Sequence, residues 1–221
     1  MTAPLPDAVF WDMDGTLLNT ERYWIESEHS LVERHGTGWT LEHAHAIVGL
    51  DLREAARHLQ TYGSVDLPVD TIVHKLLDGV IEGVRSDPLW MPGALELLAS
   101  LRAATVPCAL VTMSWRRLAD EVIALIPAGT FAAAIVGDEV SNGKPHPEPY
   151  LAAARFLGVD PSRCVAIEDS PTGLRSAEGA GCRTVAVANV VPLGPANRRT
   201  LVESLVGITP EWLGELITLA P

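Results

Sequence analysis

Lysine is nearly absent from this chain. Only Lys75 and Lys144 stand among 16 basic residues; the rest are arginines. A site that needs a compact ammonium therefore has two candidates. Cysteine is equally scarce. Cys108, Cys164 and Cys182 are odd in number and fit no metal spacing, so they read as buried free thiols in a reducing compartment. No run of 18 apolar residues occurs, which excludes a spanning helix. The start, "MTAPLPDAVF", lacks the basic and apolar regions of a signal peptide. These absences set the expectation of a cytoplasmic protein with no membrane partner. Positive charge is short as well. A net charge of −12 argues against a nucleic-acid partner or an anionic membrane surface. It leaves room for a small anionic substrate in a locally positive pocket. Internal repeats and low-complexity segments are also missing.

What is present suits one α/β core with a modest insertion. The 221 residues are 48% hydrophobic. The runs "AVFWDM" (8–13), "PCALVT" (107–112), "AAIVG" (133–137), "CVAIED" (164–169) and "TVAVANV" (184–190) read as strands. Their continuous apolar character suggests parallel strands covered on both faces. Helical patterns fall between them, at roughly 92–104, 115–126, 147–157 and 171–180. Pro92 suits a first helical turn, Ser170 an N-cap, and "GAGC" a helix stop. Thr209 and Pro210 open a closing helix. Alternation of this kind predicts a doubly wound, Rossmann-like parallel sheet. Residues 20–87 differ: they hold helix candidates, no good strand, and six of the seven histidines. They predict an inserted α-helical cap, with residues 1–19 and 88–221 forming the core.

In open α/β sheets, ligands bind beyond the carboxyl ends of the strands. Four polar clusters fall there: Asp12-Met13-Asp14-Gly15-Thr16, Thr112-Met113-Ser114, Gly143-Lys144-Pro145 and Glu168-Asp169-Ser170. Asp12 and Asp14 lie two apart, and residues two apart in a strand share a face. Their repulsion needs an offset from a cation, a lysine or a shared proton. With Glu168 and Asp169 the rim carries four carboxylates against Lys144. A hard divalent cation resolves this, Mg²⁺ being the usual one beside carboxylates and a substrate phosphate. Asp12 then faces metal and substrate as an ionised nucleophile. Asp14 lends its backbone carbonyl to the metal and keeps its side chain free for proton transfer. Gly15 lets the chain curl back.

The ordered set "DMDGT" (12–16), "VTMS" (111–114), "GKPHPEPY" (143–150) and "IEDSPTG" (167–173) resembles the four motifs of the haloacid dehalogenase-like phosphohydrolases. The insertion is similar to that superfamily's small α-helical cap. The resemblance implies Asp12 as the nucleophile, passing through an aspartyl-phosphate, and Asp14 as general acid and then base. It implies that Thr112 donates to the phosphoryl group and that Lys144 neutralises charge. Gly15, Thr16, Met113 and Ser114 would offer backbone N–H groups to phosphate. Asp12, the Asp14 carbonyl and Asp169 would hold Mg²⁺, with Glu168 supporting it directly or through water.

Within the superfamily, "DMDGTLLNTERYW" is most like phosphatases of small sugar or polyol phosphates, with Asn19 where aspartate is common. The β-phosphoglucomutases share the motifs, but the position of their cap histidine is here Trp24. A mutase also needs cap cations for a second phosphate, and Arg53 in "GLDLREA" is the best placed. The expectation is thus a phosphatase acting on a small phosphorylated metabolite. A mutase is the alternative, and an inactive binding protein on the same scaffold is the more distant one. Trp24 is expected to influence which substrate is accepted rather than phosphoryl transfer itself. Trp39 reads as cap core. Oligomeric state is not encoded in any of these motifs.

Overall fold

The computed structural model describes residues 4–48, 50–188 and 192–219. The first strand, β1 (Ala8–Trp11), is buried along its whole length. Its side chains alternate between two cores. Ala8 and Phe10 pack with Tyr150 and Ala153, while Val9 and Trp11 face Leu110, Ile167 and the larger cluster. Two covered faces explain why the run carries no polar residue. Fully burying Phe10 and Trp11 contributes roughly 2–3 kcal/mol each.

Four helices follow β1: α1 (Glu21–His35), α2 (Leu41–Ala46), α3 (Leu52–Tyr62) and α4 (Val69–Ser86). The chain then alternates through α5 (Ala94–Ala103), β2 (Cys108–Val111), α6 (Arg116–Ala124), β3 (Ala133–Ile135), α7 (Glu148–Leu157), β4 (Cys164–Glu168), α8 (Pro171–Ala180) and β5 (Arg183–Val187). It ends with β6 (Arg199–Val202) and α9 (Pro210–Thr218). Among the described residues the sheet has six parallel strands in the order β3-β2-β1-β4-β5-β6. From central β1 the chain builds outward on one side through β2 and β3, then returns to β4 on the other. This is the doubly wound arrangement, and its reversal point lies between the carboxyl ends of β1 and β4, beside that of β2.

Several expectations shift in detail. β1, β2 and β4 end one or two residues early, because Asp12, Thr112 and Asp169 leave the ladder. Asp12 and Thr112 stay anchored to it: their N–H groups donate to the carbonyls of Ile167 and Ile135, at 3.1 and 2.9 Å. Pro92 sits in the turn before α5, whose N-cap is Gly93, so it does not start that helix. β6 was not expected. It is a short, half-exposed edge strand, and its weak apolar pattern hid it. The expected run 184–190 ends in the ladder at Val187, and its last two residues lie outside the described residues. Ser170 and Thr209 do cap α8 and α9, accepting from the N–H groups of Gly173 and Trp212. The three thiols are free and buried.

The helical insertion leaves and rejoins the sheet at one place. Leu18 and Trp90 form an antiparallel bridge, and the Asn19 N–H donates to the Leu89 carbonyl at 2.8 Å. In α4, Ile72, Val73, Leu76, Leu77 and Val80 are wholly buried at helical spacing. They belong to the same cluster as Trp11 and Leu110, so the insertion and one sheet face share a core.

Candidate active site

The strand register assembles the rim. Trp11 pairs with Leu110 on one side and Ile167 on the other, which brings Asp12, Thr112, Glu168 and Asp169 to adjacent strand ends. Lys144 reaches in from the loop before α7. Its ammonium donates to Asp12 Oδ1 at 2.7 Å, to the Val111 carbonyl at 2.8 Å and to Glu168 Oε1 at 2.5 Å. All three of its protons are used.

Glu168 is fully buried. The Tyr150 hydroxyl donates to Oε1 at 2.6 Å, and the Ser170 hydroxyl to Oε2 at 3.1 Å. Gly173 lies against it: a Cβ there would come within 2.0 Å of the carboxylate, so this position in the first turn of α8 has to lack a side chain. Asp12, Glu168 and Asp169 each place one oxygen within 4.8 Å of the others. Three carboxylates against one ammonium leave negative charge uncompensated. Burial pushes the Asp12 carboxyl well above the ordinary range, Glu168 and Asp169 push further, and Lys144 only partly opposes them. Burial also disfavours the Lys144 ammonium, yet Asp12 and Glu168 outweigh it and raise its pKa. The lysine therefore stays charged. This donor set is all oxygen, crowded and too negative alone, which fits a hard divalent cation.

Asp14 lies on the far side of Gly15's curl, where Gly15 adopts φ 82° and donates its N–H to the Leu18 carbonyl at 2.7 Å. Its carboxylate accepts four side-chain hydrogen bonds. Thr20 and Trp24 Nε1 donate to Oδ1 at 2.6 and 3.1 Å; Ser114 and Thr112 donate to Oδ2 at 2.7 and 3.3 Å. The side chain expected to be free is thus occupied at every lone pair. Thr20 is the N-cap residue of α1, yet its hydroxyl serves Asp14 instead of the helix. Thr16 is buried, with its hydroxyl 3.5 Å from Asp169 Oδ1. The Met113 sulfur accepts the Lys144 backbone N–H at 3.1 Å.

These groups open into one cavity of about 130 Å³ between the sheet's carboxyl edge and the insertion. Asp12, Asp14, Gly15, Thr112, Met113, Ser114, Lys144 and Asp169 line its floor, and α1 contributes Glu21, Trp24, Ile25 and Glu28 opposite.

Residues 9–187 match the sequence profile of the haloacid dehalogenase-like hydrolases. The chain belongs to that family. It is an enzyme of the hydrolase class. Validoxylamine A 7'-phosphate phosphatase of Streptomyces hygroscopicus subsp. limoneus is 34% identical over 77% of this chain and 80% of that protein. Hexitol phosphatase A of Escherichia coli is 31% identical over 80% of this chain and 81% of its own. Among solved structures, a β-phosphoglucomutase from Clostridium difficile has the same fold, with a TM-score of 0.83 at 21% identity over 96% of both chains.

In this hydrolase the core residues expected from the motifs converge, and Arg53 does not. Its guanidinium pairs with Asp70 at 3.2 Å and stacks 4.7 Å from the Trp115 ring, outside the cavity lining. Trp39 is buried in the insertion, as its apolar setting suggested. Reading by motif passed over Tyr150, Thr20, Gly173 and Glu28. Tyr150 and Gly173 lie inside the quoted motifs "GKPHPEPY" and "IEDSPTG". Glu28 was signalled by spacing: Glu21, Trp24, Ile25 and Glu28 follow i, i+3, i+4, i+7 on one helix face.

Proposed function

We propose that this hydrolase is a Mg²⁺-dependent phosphatase of a small phosphomonoester, with sugar or polyol phosphates favoured. The observation that carries the reading is Asp12 itself: a carboxylate held by Lys144, flanked by two further carboxylates, at the mouth of an enclosed cavity. Residues 1–19 and 88–221 act as the catalytic core, and 20–87 act as the cap that encloses the substrate. Asp12, Asp169, the Asp14 carbonyl and, directly or through water, Glu168 would hold Mg²⁺. When bound, the ion neutralises the rim and the phosphoryl oxygens. Asp12 attacks phosphorus, the ester oxygen leaves with a proton from Asp14, and an aspartyl-phosphate remains. Water, deprotonated by Asp14, then releases phosphate and regenerates Asp12. Thr112 and the backbone N–H groups of Gly15, Thr16, Met113 and Ser114 position the phosphoryl group.

For Asp14 to carry a proton, one of its four donors has to let go. Thr20 and Trp24 are the donors to Oδ1 from the insertion's side. Trp24 thereby positions Asp14 as well as walling the cavity. A mutase would have to hold a second phosphate. Lys144 is the one Lys or Arg among the described residues that line the cavity, and it is already committed to Asp12 and Glu168. This favours the hydrolase.

The test is phosphate release from a panel of sugar, polyol, nucleotide and glycolate phosphates. Release should disappear with EDTA and return with Mg²⁺. Primed conversion of β-glucose 1-phosphate to glucose 6-phosphate, without phosphate release, would replace this reading with the mutase.

A further inference from the structure

The cavity's floor is a closed hydrogen-bond network, but its opposite wall is not. Glu28, in the middle of α1, is only 4% exposed, and its Oε2 atom is buried without a hydrogen-bond partner. It lines the cavity one helical turn beyond Trp24, on a lining that also includes apolar Ile47, Leu52 and Leu76. The Trp39 indole nitrogen is also buried without a partner in hydrogen-bond geometry. A buried acceptor left open in this way is costly unless something supplies a donor.

Resting on the phosphatase reading, we propose that Glu28 receives a hydrogen-bond donor on the leaving group of the substrate, a hydroxyl or a protonated amine. Glu28 then selects polyhydroxylated or amino-bearing phosphomonoesters, and the apolar residues that share its wall disfavour esters with a second anionic group. Glu21 adds a further carboxyl to the same wall. Trp24 does not supply that donor, since its N–H is given to Asp14. Ile47, Leu52 and Leu76 offer the acceptor no hydrogen bond, and the neighbouring Trp39 indole N–H falls outside hydrogen-bond geometry. In agreement, burial pushes the Glu28 carboxyl up to about 8, with Glu21 adding repulsion and Trp39 partly offsetting it. An arriving donor relieves that burden.

The experiment compares kcat/KM for four probes: sorbitol 6-phosphate, glucosamine 6-phosphate, phosphoglycolate and p-nitrophenyl phosphate, whose leaving group offers no donor. Glu28→Leu should lower the first two by about tenfold or more, as expected when a buried acceptor for a substrate donor is removed. Hydrolysis of p-nitrophenyl phosphate should hold and that of phosphoglycolate should not fall. Glu28→Gln keeps an acceptor oxygen without charge. Rescue of sorbitol 6-phosphate by this variant identifies a hydroxyl as the donor. Loss confined to glucosamine 6-phosphate identifies an ammonium. Glu28→Leu should also raise Tm, because an unpartnered buried polar group disappears. Unchanged ratios among the probes would overturn the proposal while leaving the phosphatase reading intact. Absence of p-nitrophenyl phosphate turnover in the unmutated enzyme would overturn both.

Discussion

The two walls of the cavity follow opposite rules. On the sheet side, Lys144 has three acceptors, Glu168 three donors and Asp14 four. On the α1 side, Glu28 Oε2 has no partner, and beyond it Trp39 Nε1 has none. A satisfied network in a low-dielectric site holds its groups in place before the substrate arrives, which is how charge is stabilised without reorganisation. An unsatisfied group awaits completion by a ligand. On the proposed function, the contrast separates chemistry, built into the sheet edge, from selection, left to the insertion.

The largest expected effect lies on the satisfied wall. Asp12→Asn should cut turnover by more than about a thousandfold, since the amide cannot serve as nucleophile. The fold should persist, with Tm no lower, because one charge leaves a crowded carboxylate cluster. Phosphate release with saturating Mg²⁺ and circular dichroism check this. Turnover above one-hundredth of the original would show that water attacks directly.

Gly173→Ala tests how tightly that wall is packed. In an open helix the change would stabilise by up to about 1 kcal/mol. Here the new Cβ meets the Glu168 carboxylate at 2.0 Å, and that carboxylate is held by Lys144, Tyr150 and Ser170. We expect net destabilisation of about 2 kcal/mol or more in urea unfolding, with loss of activity. A stabilised variant would break the picture of a close-fitted wall.

The open wall should announce itself through pH. The Glu28 carboxyl rises from 4.5 to about 8 on folding. Between those values the folded state binds more protons than the unfolded one, so this group's contribution to stability falls as pH rises. The slope is at most about 1.4 kcal/mol per pH unit. Below the unfolded pKa the penalty is absent. Tm measured from pH 5 to 8 should therefore decline more for the unmutated protein than for Glu28→Gln. Parallel curves would mean that Glu28 already has a partner in solution.

The smallest effect belongs to the outer seam between insertion and core. Arg85 pairs with Glu121, and Arg117 with Asp78, at 2.6 Å in each case, with Glu121 partly covered and the other three side chains exposed. Exposed pairs are screened and entropically costly, so Arg117→Ala should shift Tm by no more than about 2 °C. A larger loss would make the seam a stabilising element on a par with the rim.

Much of this protein was determined locally. A buried parallel strand must be apolar on both faces, so five of the six strands could be read from composition alone. The residue following such a strand must turn outward, so Asp12, Thr112 and Asp169 could be placed at one edge. Lysine scarcity singled out Lys144. The half-exposed edge strand β6 carried too weak a pattern to be read, and the order of strands was decided by pairing. Tertiary packing alone turned Arg53 away to Asp70 and Trp115, set Tyr150 against Glu168, and joined Trp24 to Asp14. It also left Glu28 open beside them. The physical reason is that periodicity specifies which face of an element is buried, whereas the partner a polar group meets there can come from far along the chain, as Lys144 does for Asp12, 132 positions away.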